Sequence, residues 1–184
     1  MFEVLYKISD PKGELEAFPE IEIDTYMNFS VVGYFAFYVN KKEYGFYIEE
    51  SIKQGLSWAD YITSWFIDLI SAYLELTRFG YVLINDTDSY NTWIEFERVK
   101  DMAKISIIRA EKGVGTYSGL RLSHIKQFEY GEWYNESVKL VDIRTELIRK
   151  ALQYLEELRK INIKLFETRE VAELKEVLSQ LIQS

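Results

Sequence analysis

The sequence predicts an α+β fold: a mostly antiparallel β-sheet, a buried central helix at about residues 57–78, and two C-terminal helices. Three observations predict it. Short aromatic-rich segments alternate in hydropathy and are separated by tight turns, which link antiparallel strands. One central segment is apolar around most of a helical period and must therefore be buried. The C-terminal part carries apolar residues in steps of three and four. Strands, a helix, strands, then helices is the order of a sheet with helices packed on it.

Phe2–Ile8 alternates as a strand does. Asp10-Pro-Lys-Gly13 has the residue pattern of a type I turn. Glu14 to Asp24 is an acidic stretch; if extended, it puts Glu20, Glu22 and Asp24 on one side and Ile21 and Ile23 on the other. Aromatic-rich strands follow at about Phe29–Val39 and Tyr44–Glu49, turned by Asn40-Lys-Lys-Glu43. Both faces of the first of them are partly apolar, which places it centrally.

Ser57 is positioned to cap the central helix, with Asp60 at the capping-box position. Asp60, Ser64, Asp68, Ser71, Glu75 and Arg78 form its polar stripe, and Gly80 ends it. Strands are expected at Tyr81–Asn85, Trp93–Val99 and Ala103–Arg109, the last two joined by a tight turn at Val99-Lys-Asp-Met102. Thr116–Ser123 and Phe128–Tyr134 are expected to form a further pair. Helices are expected at about Val141–Lys160 and Arg169–Ile182. The chain reads as a single domain, 1–184. Its most separable piece is 168–184, whose stripe of Val171, Leu174, Leu178 and Leu181 suits either packing on the sheet or homo-oligomerisation.

Composition narrows the function. The chain is 48% hydrophobic, enough for a real core, and has no cysteine, so thiolate catalysis and cysteine-ligated zinc are excluded. Met1–Asp10 has no signal-peptide pattern, and the uncharged run Thr25 to Asn40 is too short to span a bilayer, so the expectation is a cytoplasmic protein away from the membrane. The net charge of −8 argues against direct nucleic-acid binding. The charge is uneven: residues 100–126 carry six basic and two acidic groups and form the one basic island.

That island holds the glycine-rich stretch Ala110–Leu120. Lys104, Arg109, Lys112, Gly113, Gly115, Arg121 and His124 are the candidate ligand-binding residues, for an anion or a nucleotide phosphate. The glycine spacing matches neither established phosphate-loop pattern, and the alternating residues after it make a hairpin turn the simpler reading. Asp86, Asp88 and Glu97 fall at positions one, three and twelve of a calcium loop. Tyr90 and Asn91 stand where that loop needs an oxygen ligand and a glycine, so Asp86 and Asp88 read as turn residues. His124 cannot pair with Ser123, because adjacent strand residues point to opposite faces. Glu95 and Glu97 share a strand face with Trp93 and invite an acid–base reading, against which stands an exposed strand face. The run Phe128–Tyr134 mixes aromatics with acids and has the composition of a contact surface.

No catalytic constellation is legible and no cofactor is implied, so an enzyme is not expected. The expectation is a protein-binding or inhibitor module. In class it is analogous to immunity-type proteins and to phage or bacterial anti-defence proteins that dock on a macromolecular target. Its contact residues would be Glu20, Glu22, Asp24, Tyr130, Trp133 and Tyr134. The alternative is a small-molecule binding or sequestering protein that holds an anionic ligand on the basic segment 104–126.

Overall fold

The computed structural model describes residues 1–9, 13, 15–16, 30–47, 50, 52, 60–86, 89, 91–111 and 119–184. In chain order these form β1 (Phe2–Ile8), β2 (Val32–Val39), β3 (Lys42–Phe46), β4 (Asp60–Tyr61), α1 (Ile62–Phe79), β5 (Tyr81–Asn85), β6 (Thr92–Val99), β7 (Met102–Ala110), β8 (Leu120–Arg121), β9 (Phe128–Tyr130), β10 (Glu136–Lys139), α2 (Leu140–Ile161), a 3-10 turn (Ile163–Glu167) and α3 (Arg169–Gln183). The fold is α+β with antiparallel sheets, as the hydropathy patterning requires. The chain divides into two units. One comprises residues 1–2, 38–42 and 68–145, the other residues 3–37, 43–67 and 146–184.

The first unit is organised by a sheet of order β10-β7-β6-β5-β8, with β9 also on β7. The β6–β7 hairpin is its spine. Lys100 takes a positive φ of 59° at the turn, and pairing runs from Val99↔Met102 to Thr92↔Arg109. Alternation then assigns the faces. Val82, Ile84, Ile94, Phe96, Ala103, Ile105 and Ile107 lie on one face and are buried. The C-terminal turns of α1 close over that side, where the Arg98 guanidinium donates to the Thr77 carbonyl at 2.6 Å. On the other face Tyr81, Leu83, Trp93, Ile108 and Ala110 form a smaller core with Ile125 and Phe128. α1 ends at Gly80, whose φ of 80° is the left-handed geometry of a helix stop and whose N–H donates to the Leu76 carbonyl.

In the second unit, β2 lies between β1 and β3, and residues on both of its faces are buried. The Ser9 N–H bonds the Val32 carbonyl and the Asn40 N–H bonds the Met1 carbonyl, so β1 and β2 run antiparallel. A Cβ at Gly33 would collide with the Lys7 carbonyl and the Ile62 side chain, so glycine permits this close approach. The β2–β3 turn is two residues, Asn40 and Lys41, both with positive φ, as a type I′ hairpin requires. The core is aromatic. Phe66 meets Tyr6, Phe35 and Tyr154 at ring separations of 5.3–5.6 Å. Tyr154 is fully buried and its hydroxyl shares a 2.7 Å hydrogen bond with that of Thr63. The α3 stripe of Val171, Leu174, Leu178 and Leu181 is buried within this chain.

Two expectations are corrected. α1 begins at Ile62, because Asp60 and Tyr61 pair as a strand with Gly33 and Val32. Asp60 accepts from the Trp65 indole N–H, and the cap residue Ser57 lies outside the described residues. Leu120–Arg121 and Phe128–Tyr130 do not pair with each other. β8 adds to β5 and β9 adds to β7, on opposite sides of the hairpin, because each finds an unpaired strand edge there. The Asp10–Gly13 turn and the acids Glu20, Glu22 and Asp24 lie outside the described residues, apart from Gly13.

Two stability measurements follow. Nothing lies within 4 Å of a Cβ added to Gly80, so Gly80→Ala costs only backbone strain, an expected loss of about 1 kcal/mol in urea unfolding. Glu170, half-buried, accepts from Ser30 Oγ at 2.6 Å. Burial raises its carboxyl pKa, the Ser30 bond opposes that rise, and Glu173 adds to it. The folded state therefore holds this proton more tightly than the unfolded chain. Its contribution to stability falls as pH rises from the ordinary carboxylate range through the raised folded value. Glu170→Gln should flatten that part of the stability–pH curve relative to wild type, measured by thermal melts across mildly acidic to neutral pH.

Candidate functional site

The smaller core of the first unit runs into a polar cluster on the same sheet face. On β6, Trp93, Glu95 and Glu97 point to this face; register puts Ile108, Ser106 and Lys104 opposite them on β7. On the other side β5 sets Asn85, Leu83 and Tyr81 opposite the same three residues, and β8 sets Arg121 beside Leu83. β9 brings Tyr130 beside Ile108.

Glu95 is 9% exposed, which corrects the expectation of an exposed strand face. Leu83 on β5 and Ser106 on β7 stand opposite it. Its Oε1 accepts a 2.9 Å hydrogen bond from the Tyr81 hydroxyl. Burial, then the negative charge and hydrogen bond of Glu95, push the Tyr81 pKa far up, so the hydroxyl keeps its proton and acts as a donor. The exposed His124 lays its ring against Tyr81, with centroids 3.7 Å apart. Trp93 is 2% exposed and its indole N–H has no acceptor among the described residues.

A short strap follows β9. The Gly131 N–H donates to the Ile107 carbonyl, the Ile107 N–H to the Trp133 carbonyl, and the Asn135 N–H to Ser106 Oγ at 3.0 Å. Trp133 is buried at 3% exposure. The strap is thus tied to β7 beside the Glu95 row. Two tyrosines stand out from it: Tyr130 is 47% and Tyr134 56% exposed, with ring centroids 4.3 Å apart. Phe128 supports Tyr130 edge to face at 5.1 Å. Partial burial raises the Tyr130 pKa, and the negative charges of Glu95 and Glu97 add to the rise.

The basic candidates are divided. Lys104, Arg121 and His124 belong to the face described, while Arg109 sits on the opposite face of β7, exposed, across from Thr92 and Glu129. The Arg121 Nε donates to the carbonyl and hydroxyl of Ser123 at 3.0 Å. Lys112, Gly113 and Gly115 lie outside the described residues. Asp86 is buried, and its Oδ1 accepts from the Ser89 N–H in an Asx-type turn; Asp88 lies outside the described residues. Among the described residues no group of three or more His, Asp or Glu could hold a metal ion. No helix of the described residues is long and apolar enough to cross a membrane.

Sequence reasoning missed Tyr81 and Ser106. The signal for Ser106 was present: a two-residue turn after Val99 sets Glu95 opposite it. No family model matches the sequence, and no curated protein or solved structure does so.

Tyr81→Phe would remove the donor from a nine-tenths-buried carboxylate. The expected cost is about 1–3 kcal/mol in urea unfolding at neutral pH, with the His124 ring contact retained.

Proposed function

We propose that this protein is a docking module for another protein, with a contact surface centred on Tyr130 and Tyr134 and a partner that presents a basic face. The observation that supports the reading is the tyrosine pair itself. Two large rings are held together at 4.3 Å, half exposed, on a strap whose backbone is bonded to the sheet. Tyrosine buries much area at low entropic cost and is enriched where proteins meet. A strap already fixed to β7 avoids the ordering cost that a mobile loop would incur on binding.

The rim favours a cationic partner. Glu97, on the face that carries Tyr130, and Glu132, in the strap, are exposed, and the run Gln127–Glu136 contains acids and no base. The chain as a whole is at −8, which would speed encounter with a basic protein and repel nucleic acid competing for it. An inhibitor or immunity-type role against a nucleic-acid-handling enzyme is the class of function that fits this reading. The alternative, an anionic small ligand on Lys104, Arg121 and His124, draws support from their common face.

The test uses the full chain as bait, with the recovered partner purified and titrated against wild type and Tyr130→Ala/Tyr134→Ala. Loss of two central aromatic anchors should weaken Kd roughly a hundredfold, and added salt should slow association. A double variant with an unchanged melt and unchanged affinity overturns the reading.

A further inference from the structure

Resting on that docking reading, we propose that the surface contains a receptor for one arginine side chain of the partner. The guanidinium would bond the Glu95 and Glu97 carboxylates, and its plane would lie against the Tyr130 and Tyr134 rings. Four observations converge on this.

Glu95 is nine-tenths buried, yet its hydrogen-bond donor among the described residues is the single hydroxyl of Tyr81, on one of its two oxygens. An ionised carboxylate has about four acceptor positions, and a buried one is costly unless paired. Glu97, two residues on and on the same face, is exposed and forms no ion pair with Lys104 directly across the ladder. The pair Glu95 and Glu97 therefore offers acceptor capacity at two depths, one enclosed and one at the rim.

The tyrosines supply what a guanidinium needs beyond charge. Arginine stacks on aromatic faces and presents a rigid fork of donors, whereas lysine is a strongly hydrated point charge. The register puts Tyr130 on the face of Glu95 and Glu97, and the Asn135 N–H to Ser106 bond ties the Tyr134 strap beside the residue opposite Glu95, so rings and carboxylates belong to one sheet face. Lastly, Arg121 donates to Ser123, and among the described residues Lys104 forms no ion pair. Lys104 then acts as the competing charge, weakening small cations that lack a stacking plane.

The experiment titrates the full chain with acetyl-Gly-Arg-Gly-amide and with the same peptide carrying citrulline, which keeps the shape and loses the charge. Amide and indole NMR signals of Tyr81, Trp93, Glu95, Tyr130 and Tyr134 report binding. The arginine peptide should give saturable shifts at these residues. The citrulline peptide should bind about tenfold more weakly or less, as loss of one charge-assisted hydrogen bond requires. Glu95→Gln should abolish the difference between the peptides, and Lys104→Met should tighten arginine binding.

Equal affinity for the two peptides on the wild-type chain overturns the proposal, with no reliance on a variant that might misfold. So does weaker arginine binding by Lys104→Met. Titration of the purified partner separates the two readings. Undiminished affinity of Glu95→Gln alongside loss in the double tyrosine variant removes the arginine receptor and leaves docking intact. Arginine-selective shifts alongside full partner affinity of the double tyrosine variant remove the docking reading and leave the receptor.

Discussion

The ladder between β6 and β7 is the constraint on which the first unit depends. Eight residues of one strand pair with eight of the other, from Thr92↔Arg109 to Val99↔Met102. A shift of β6 by one residue would invert every side chain of that strand. Ile94 and Phe96 would go to the polar side, and Glu95 would enter the main core. The hydrophobic cost of that exchange locks the register, and the short turn at Lys100 locks it again from the end. Each side chain of the proposed surface is placed relative to this ladder: Tyr81 through β5, Arg121 through β8, Tyr130 through β9.

A carboxylate in such a position has to be explained energetically. Glu95 stands between Trp93 and Glu97 on one strand face, is 9% exposed, and accepts one hydroxyl hydrogen bond, from Tyr81. Structural polar pairs elsewhere in the chain are better matched. Glu136 takes both Lys42 and Asn40, and the Lys42 hydrogen bond holds its carboxyl below the usual range. Tyr154 and Thr63 satisfy one another in the core of the second unit. Glu95 accepts from the Tyr81 hydroxyl alone among the described residues, and the proposed receptor would use its remaining acceptor capacity.

Charge is divided between the two units as sharply as between stretches of sequence. The first holds 12 basic and 12 acidic residues; the second holds 10 and 18 and so carries the whole net charge of −8. In the proposed docking, then, the first unit contributes individually placed charges rather than a net charge. Interleaved Glu95, Glu97, Lys104 and Arg121 on one face favour a shaped, directional contact such as a guanidinium. In the second unit the excess of acid acts at longer range, on encounter rates and solubility.

The sequence by itself determined the fold class, most element positions and the tight turns. Those depend on local patterns: apolar residues spaced by two or by three and four, glycine after α1, and asparagine and lysine at hairpin tips. It also carried the β6–β7 register, since a two-residue turn leaves one pairing, and it marked Phe128–Tyr134 as contact-like. It misplaced the start of α1, because the backbone of Asp60 and Tyr61 finds a strand partner at Gly33 and Val32, about 30 residues earlier. It paired β8 with β9, because nothing local says that each will find a different sheet edge. Above all it left Glu95 exposed. Period two says which face a residue takes, whereas burial depends on what covers that face. Here Tyr81, which bonds Glu95 from β5, and the His124 ring laid against Tyr81 come from outside β6 and are brought to it only by tertiary folding.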